Sequence, residues 1–577
     1  MRNKDIILKF LKFYKPYISK VVKAALLMIT VSLLQLPLPL LTMYIIDNVL
    51  VKKDYHLLTI LCALLLFIGL VSIAASFLQG YYLQYIRLRV MSDIRNRLFN
   101  HIIRSNISFF KKHQTGDLMA RVLNDISASQ GLFADTIVNL LRNSATLIFG
   151  VIIIFTLNWR LAILSLLSLP FFISSLLIFA EKIKKMSKKS QQRYSEVSLT
   201  LNESLQAPEV VKGFLRENRE KLKFFSRINR LVKQRIKTIM LSMTSSNLTS
   251  LVGMLAPLMV LWYGGQQVMA GHLTLGGFVA FNSFLMYLFN PIQSLIGLNL
   301  SIQSSLGAAE RIFELLGKKT EDYDRGQHIN ILQNKISVRR LFFSYDGKTN
   351  VLNDINFDIH AGEKIAVIGA SGSGKSTLVN LLLRFYDVKQ GKILVDGMDL
   401  QDLSLKCIRE QIGIVHQDSF LFSGTILENI SYGKRETGHA HIIEAAKAAN
   451  MHDYIMKLPA GYHTYVGERG LQLSGGERQR IALARMFLKA PSVIILDESM
   501  SQLDCENEKQ ILENLFSSYA DKTIIIITHR PSLINYFDRV LLLDKGRLTA
   551  IEEKKDILLS LKNNTLFDTK EMFYGKN

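Results

Sequence analysis

Cysteine is almost missing from this 577-residue chain: there are three, Cys62, Cys407 and Cys505, with neither metal-ligand spacing nor a disulfide framework. Free thiols in a reducing compartment are the expectation. Charge is missing over long intervals. No Asp, Glu, Lys or Arg occurs from Leu57 to Ile86, and His272 is the only titrating side chain from Thr238 to Ala309 short of cysteine and tyrosine. A bilayer core needs about 20 predominantly apolar residues per helix, so these intervals hold membrane spans and the second is long enough for two. A small-residue cleavage pattern is also missing after Met1-Arg2-Asn3-Lys4-Asp5, so no cleavable signal peptide is expected.

What charge there is lies asymmetrically. The net charge is +22. Lys and Arg crowd Arg87 to Arg121 and Lys182 to Lys237, whereas the tips near Lys52-Lys53 and Asn158-Trp159-Arg160 carry few. This is the positive-inside pattern, which places the basic stretches in the cytoplasm and accounts for the charge without a nucleic-acid partner. Six spans are expected at about 22–46, 57–86, 136–158, 161–181, 244–270 and 274–299, before a linker at about 317–330. The stretches at about 87–135 and 182–243 keep helical periodicity, so the helices should run on beyond the bilayer. Ile6 to Ser19 reads as an amphipathic helix on the inner membrane face.

From about residue 331 the pattern changes to short β-branched runs. Ile365-Ala366-Val367-Ile368, Val493-Ile494-Ile495-Leu496 and Thr523-Ile524-Ile525-Ile526-Ile527 read as buried parallel strands of a soluble α/β domain. The expected architecture is a membrane all-α six-helix domain over 1–318 fused to an α/β P-loop NTPase domain over 319–577.

The second half carries the chemistry. Gly369-Ala370-Ser371-Gly372-Ser373-Gly374-Lys375-Ser376-Thr377 matches GxxxxGK[ST] directly after a strand. Its glycines let backbone N–H groups surround phosphate oxygens; Lys375 would neutralise β/γ oxygens and Ser376 would bind Mg²⁺. Asp497 closes an apolar strand, the position for holding Mg²⁺, and Glu498 follows as the candidate that positions or deprotonates an attacking water. His529 is placed to touch the γ-phosphate, and Gln417 to sense Mg²⁺ and water through its amide. Ser474, Gly475 and Gly476 open a helix with Glu477 in its first turn, a terminus that favours anions and fits the S-x-x-E capping box as well. Tyr345, before the first strand pair, could stack on adenine.

The order of these pieces is more specific than any one of them. A phosphate loop, then Leu473-Ser474-Gly475-Gly476-Glu477-Arg478-Gln479-Arg480, then Asp497-Glu498, resembles the ATP-binding cassette superfamily over essentially the whole chain. The first half is similar to bacterial homodimeric multidrug exporters. Thr115-Gly116-Asp117-Leu118 with Arg121 and Asn124-Asp125 resembles their first cytoplasmic loop, and Val210-Val211-Lys212-Gly213-Phe214 with Glu217 their second. Trp262-Tyr263-Gly264-Gly265 and Pro291-Ile292 resemble their last two spans, and Thr464 to Gly470 a loop that feels the membrane domain.

The resemblance implies a homodimer with two composite sites, each holding ATP between Lys375 of one chain and Ser474 of the other. It implies coupling helices near 110–118 and 208–215, and a loop Ser499 to Asp504 crossing the interface, with Asp504 beside the nucleotide. It also implies a cell-membrane location with the N-terminus and ATPase domain cytoplasmic. Glutamine stands at Gln502 where the family commonly has alanine, and the tail after Ala550 departs from the family pattern. An importer on the same fold, or one half of a heterodimer, would carry the same ATPase motifs. Spans without acidic residues in their cores favour drugs, lipids or apolar peptides as cargo; Arg142, near the inner end of the third span, either meets an anionic headgroup or snorkels to the interface.

Overall fold

The computed structural model describes residues 3–129, 134–328, 332–434, 436–528, 533 and 536–553. These divide into two units: one holds residues up to Ile103 and then Thr115–Lys318, and the other holds Arg104–Gln114 together with the chain from Lys319 onward.

Among the described residues, six helices of the first unit are long and apolar enough to cross a membrane, within Asp5–Leu50, Tyr55–Ile103, Val138–Leu157, Trp159–Gln206, Glu217–Met269 and Leu275–Leu295. Each of the six expected spans lies inside or against one of them. The 49-residue helix Tyr55–Ile103 is about 70 Å long at 1.5 Å per residue, more than twice a bilayer core. Its apolar stretch turns Leu66, Phe67, Ile73 and Phe77 outward, each more than 60% exposed, as lipid-facing side chains must be.

The breaks between helices have local causes. Asn158 caps Trp159–Leu167, its Oδ1 accepting from the N–H groups of Arg160 and Leu161 at 3.1 Å each. Gly271 takes φ +74 in the next tight turn, and Thr274 caps the last helix through the Gly277 N–H at 3.0 Å. Pro257 sits inside Glu217–Met259, and one turn later the backbone loosens into a π-helical segment, Val260–Gly264. Ile154, Leu161, Phe172, Val260, Phe281 and Phe284 form the unit's buried core.

The N-terminal helix Asn3–Tyr14 is two-sided: Ile6 and Phe10 are buried, Phe10 edge-on to Phe313 at 6.2 Å, while Leu8 and Leu11 stay exposed. The first short loop helix is Ile107–Lys112 rather than 110–118, because Asn106 caps it and the chain extends at His113 before Thr115–Ala120 begins. The second is Pro208–Gly213, followed by an exposed apolar tip at Phe214 and Leu215. Arg142 is half-buried in the helix Ala134–Leu157.

The second unit contains two sheets. Strands β1 (Lys335–Phe343), β2 (Leu352–His360), β4 (Gln390–Val395) and β5 (Met398–Asp399) form an antiparallel sheet in the order β2-β1-β4-β5. Strands β3 (Lys364–Ile368), β6 (Ile412–Val415), β7 (Val493–Asp497), β8 (Thr523–Ile527), β9 (Arg539–Asp544) and β10 (Arg547–Glu553) form the other, in the order β10-β9-β3-β8-β7-β6. Pairing is parallel from β9 through β6. Alternation along β3 explains its unbroken apolar run. Ile365 and Val367 face a core shared with β1 and β2, whereas Ala366 and Ile368 face a core shared with Ile481 and Leu483 of the helix Gly475–Lys489. With both faces covered, the carboxyl ends of β3, β7 and β8 are left to form the site.

Candidate functional site

The loop after β3 is built of backbone that only glycine adopts freely. Gly372 and Gly374 take φ +81 and +107. A Cβ on Gly369 would run into the Leu543 carbonyl oxygen, and one on Gly374 would come to 2.6 Å from Leu352 Cδ2. Lys375 begins the helix Lys375–Leu382, with its side chain folded back so that Nζ donates to the carbonyls of Gly369 at 2.7 Å and Ala370 at 2.9 Å. Burial pushes its pKa down, against the upward pull of Glu498 and Asp497. A buried ammonium held by neutral acceptors is suited to an incoming phosphate anion. Ser371 and Gly372 stand exposed at the loop's rim, Ser373 and Thr377 are buried, and Ser376 faces outward.

Asp497 ends β7 beside this loop. Its carboxyl is buried and its pKa is raised by that burial, partly offset by a hydrogen bond from the Ser376 hydroxyl. A desolvated carboxylate paired with a hydroxyl oxygen fits the hard, oxygen-seeking Mg²⁺. The next residue, Glu498, is half-buried at φ +48, a left-handed conformation uncommon outside glycine, with its N–H bonded to Ile527 O at 3.1 Å. That turn separates two adjacent side chains: Asp497 is buried, whereas Glu498 is half-buried.

Desolvation of Asp497 has a measurable cost. Because its folded pKa lies above the ordinary 3.8, the folded state binds more protons than the unfolded one, and stability falls as pH rises through that window. Asp497→Asn therefore raises the melting temperature of the nucleotide-free protein at neutral pH. The gain shrinks as pH falls toward 3.8, the ordinary aspartate value, and is lost below it, where the carboxyl is protonated in both states. Equal gains at both pH values would refute the burial argument.

The signature helix Gly475–Lys489 opens on a capping box. Ser474 Oγ accepts from the Glu477 N–H at 3.3 Å, and Glu477 Oε2 accepts from the Ser474 N–H at 2.8 Å. Ser474, Gly475, Gly476, Glu477, Arg480, Gln502, Asp504 and Asn507 line an open cleft of about 360 Å³. Gln502 lies over the helix start, where a Cβ on Gly475 would run into its Oε1. Asp504 is the N-cap of Cys505–Ser518, accepting from the Asn507 N–H at 2.8 Å and side chain at 2.7 Å.

The structure therefore groups the predicted residues in two places. Gly369 to Thr377, Asp497 and Glu498 gather at the strand ends; Ser474 to Glu477 and Asp504 form the separate cleft. Gln417 lies exposed after β6, its backbone carbonyl held by the Gln479 side chain at 3.3 Å. His529 lies outside the described residues. Tyr345 does not precede the first strand pair, as the sequence suggested, but lies in the connection between β1 and β2. Its hydroxyl bonds Thr377 Oγ1 at 3.0 Å, its ring packs edge-on to Phe343 and Tyr386 at 5.0 Å each, and it remains 43% exposed.

Two participants escaped the sequence reading. Lys111, on the loop helix Ile107–Lys112, places its ammonium 5.1 Å from the Tyr345 ring centroid and 5.5 Å from that of Tyr386. No local pattern marks a lysine more than 200 residues away as a neighbour of this tyrosine. Gln479 is 1% exposed and central to the site's hydrogen bonding, but in sequence it is one polar residue in a polar run.

Residues 21–292 match the model of the ABC transporter transmembrane region, and residues 352–501 match the ABC transporter model. An ATP-dependent lipid A-core flippase of Syntrophus aciditrophicus is 36% identical over 94% of this chain and 91% of its own length. The chain belongs to the ABC transporter family. A Bacillus subtilis protein provisionally named a multidrug export ATP-binding/permease protein, YgaD, is 32% identical over 95% of this chain and 96% of its own. The solved structure of a bacterial Atm1-family ABC exporter with ATP bound superimposes with a TM-score of 0.83 at 27% identity, covering 96% of this chain and 97% of that one. This ABC transporter is thus a multi-pass membrane protein with a nucleotide-binding ATPase domain, coupling ATP hydrolysis to transport.

Proposed function

We propose that this chain is an ATP-driven exporter of hydrophobic or amphiphilic molecules (lipids or drugs), acting as a homodimer with two composite ATP sites. The observation that carries the dimer is the split of the site. Within one chain the phosphate loop and the signature cleft are separate groups of residues, each offering part of what enclosed ATP needs. Head-to-tail pairing of two copies brings the Gly475 helix start of one against the nucleotide on Lys375 of the other, supplying N–H donors and a helix dipole to its phosphates.

Ser376 and Asp497 would hold Mg²⁺, which supplies charge neutralisation at the β and γ oxygens. Glu498 takes the proton of the attacking water, Gln417 orients that water, and His529 contacts the γ-phosphate. Tyr345 offers its exposed ring to adenine. By the resemblance to exporters, the loop tip at Phe214 and Leu215 would carry closure of the ATPase domains to the spans. Export of lipids or drugs is favoured by the relatives' names and by spans poor in acidic side chains.

Transport direction and cargo are tested together in vesicles. Inside-out vesicles containing the protein should accumulate fluorescent lipid or cationic dye only with ATP, and vanadate should stop both accumulation and phosphate release. Uptake confined to right-side-out vesicles would instead make the protein an importer.

A further inference from the structure

The Gln479 side chain joins two loops that the proposed dimer assigns to different ATP sites. Its Nε2 donates to the Gln417 carbonyl at 3.3 Å, and its Oε1 accepts from the Gln502 N–H at 3.2 Å. Both bonds are at the long end of the hydrogen-bond range, so small displacements of the helix or either loop make or break them. Because the carboxamide is buried, an unmade bond has no solvent to replace it. The Gln502 loop in turn rests on the signature helix: Cβ atoms on Gly475 and Gly476 would meet Gln502 Oε1 and, at 3.1 Å, Gln502 O.

We propose that Gln479 is a positioning residue through which the state of one ATP site sets the geometry of the other. The inference rests on the composite-site reading above. In such a dimer a chain's Ser474, Gly475 and Gln502 face the nucleotide held by its partner, while its Gln417 faces the nucleotide it holds itself. Nucleotide seated against Gly475 displaces Gln502 from the helix start, and the Gln502 backbone shifts with it. The shift passes through the Gln479 amide to the Gln417 carbonyl and so to the direction of the Gln417 side chain. Glutamine is suited to this link because one terminal group both donates and accepts. For nucleotide binding the coupling is an energy shared between two sites, so each changes the other's affinity equally.

The test uses full-length protein in lipid, with differently tagged copies co-expressed and mixed pairs isolated by both tags. One copy carries Glu498→Gln, so the pair has one dead site. Independent sites would leave about half the turnover of the intact dimer, whereas coupled sites leave at least about fivefold less than that half. With native Gln479 the lower value is expected. Gln479→Leu in both copies should bring the mixed pair back to about half of the corresponding intact Gln479→Leu dimer. Gln479→Glu, which keeps the acceptor and loses the donor toward Gln417, should do the same and covers the case where leucine does not fold.

A mixed-to-intact ratio of one half with native Gln479, or a low ratio unchanged by either substitution, overturns the inference while leaving the dimer intact. Lowered melting temperature with an unchanged ratio marks Gln479 as structural only and overturns it likewise. Failure of the two tagged copies to co-purify overturns both the homodimer reading and the link.

Discussion

Glu498→Gln is expected to lower ATP turnover by roughly 10²–10⁴-fold, the range for removing a positioned general base, while ATP binding stays near native. Glutamine matches glutamate in shape, so the backbone bond from the residue 498 N–H to Ile527 O survives, as does the left-handed turn at φ +48. What is lost is the charge and its capacity to take a proton. The same carboxylate helps keep the buried Lys375 protonated, with Asp497 as the second contributor, so one of two stabilising charges remains. ATP is therefore expected to stay bound and, in the proposed dimer, to keep the two ATPase domains closed around it. Phosphate release in lipid, measured beside nucleotide occupancy, separates the two effects. Turnover within about tenfold of wild type would remove Glu498 from the role of base.

Lys375→Ala should act on the opposite step. Charge-assisted hydrogen bonds contribute about 1.5–3 kcal/mol each, so ATP affinity falls by roughly 10- to 100-fold and turnover at low ATP falls with it. In the absence of nucleotide the change is small in comparison. The substitution frees the Gly369 and Ala370 carbonyls, but it also removes a buried ammonium whose desolvation already lowers its pKa. Melting temperature without nucleotide should move little, whereas the rise on adding MgATP should nearly vanish, since that rise reports binding to the folded state. An undiminished rise would place the phosphates elsewhere.

Much of this architecture was legible because physics writes it locally. Charge-free intervals mark spans, since nothing else tolerates about 20 apolar residues in a row. The runs in β3, β7 and β8 mark strands buried on both faces. The phosphate loop reads directly because Gly369 and Gly374 sit where a Cβ has no room. The capping box at Ser474 and Glu477 is equally local, three residues apart on one helical turn.

Other features depended on chain regions that meet only after folding. The family resemblance implied a loop helix near 110–118; the cap at Asn106 and the extended His113 set it at Ile107–Lys112. Lys111 over Tyr345, Phe10 against Phe313, and the Gln502 side chain across Gly475 have no sequence period, since each joins separate elements.

The sequence by itself determined that this chain spans a membrane, carries one phosphate loop and one signature helix, and belongs with ATP-driven transporters. Those facts rest on hydropathy, glycine geometry and helix capping, which act over a few residues. Only the tertiary structure decided that Asp497 is buried against Ser376 while Glu498, the next residue, is half-buried in a left-handed turn. It also decided that Gln479 donates to one loop and accepts from another. Burial and hydrogen-bond partners are properties of packed neighbours, and packing brings together residues that the chain keeps far apart.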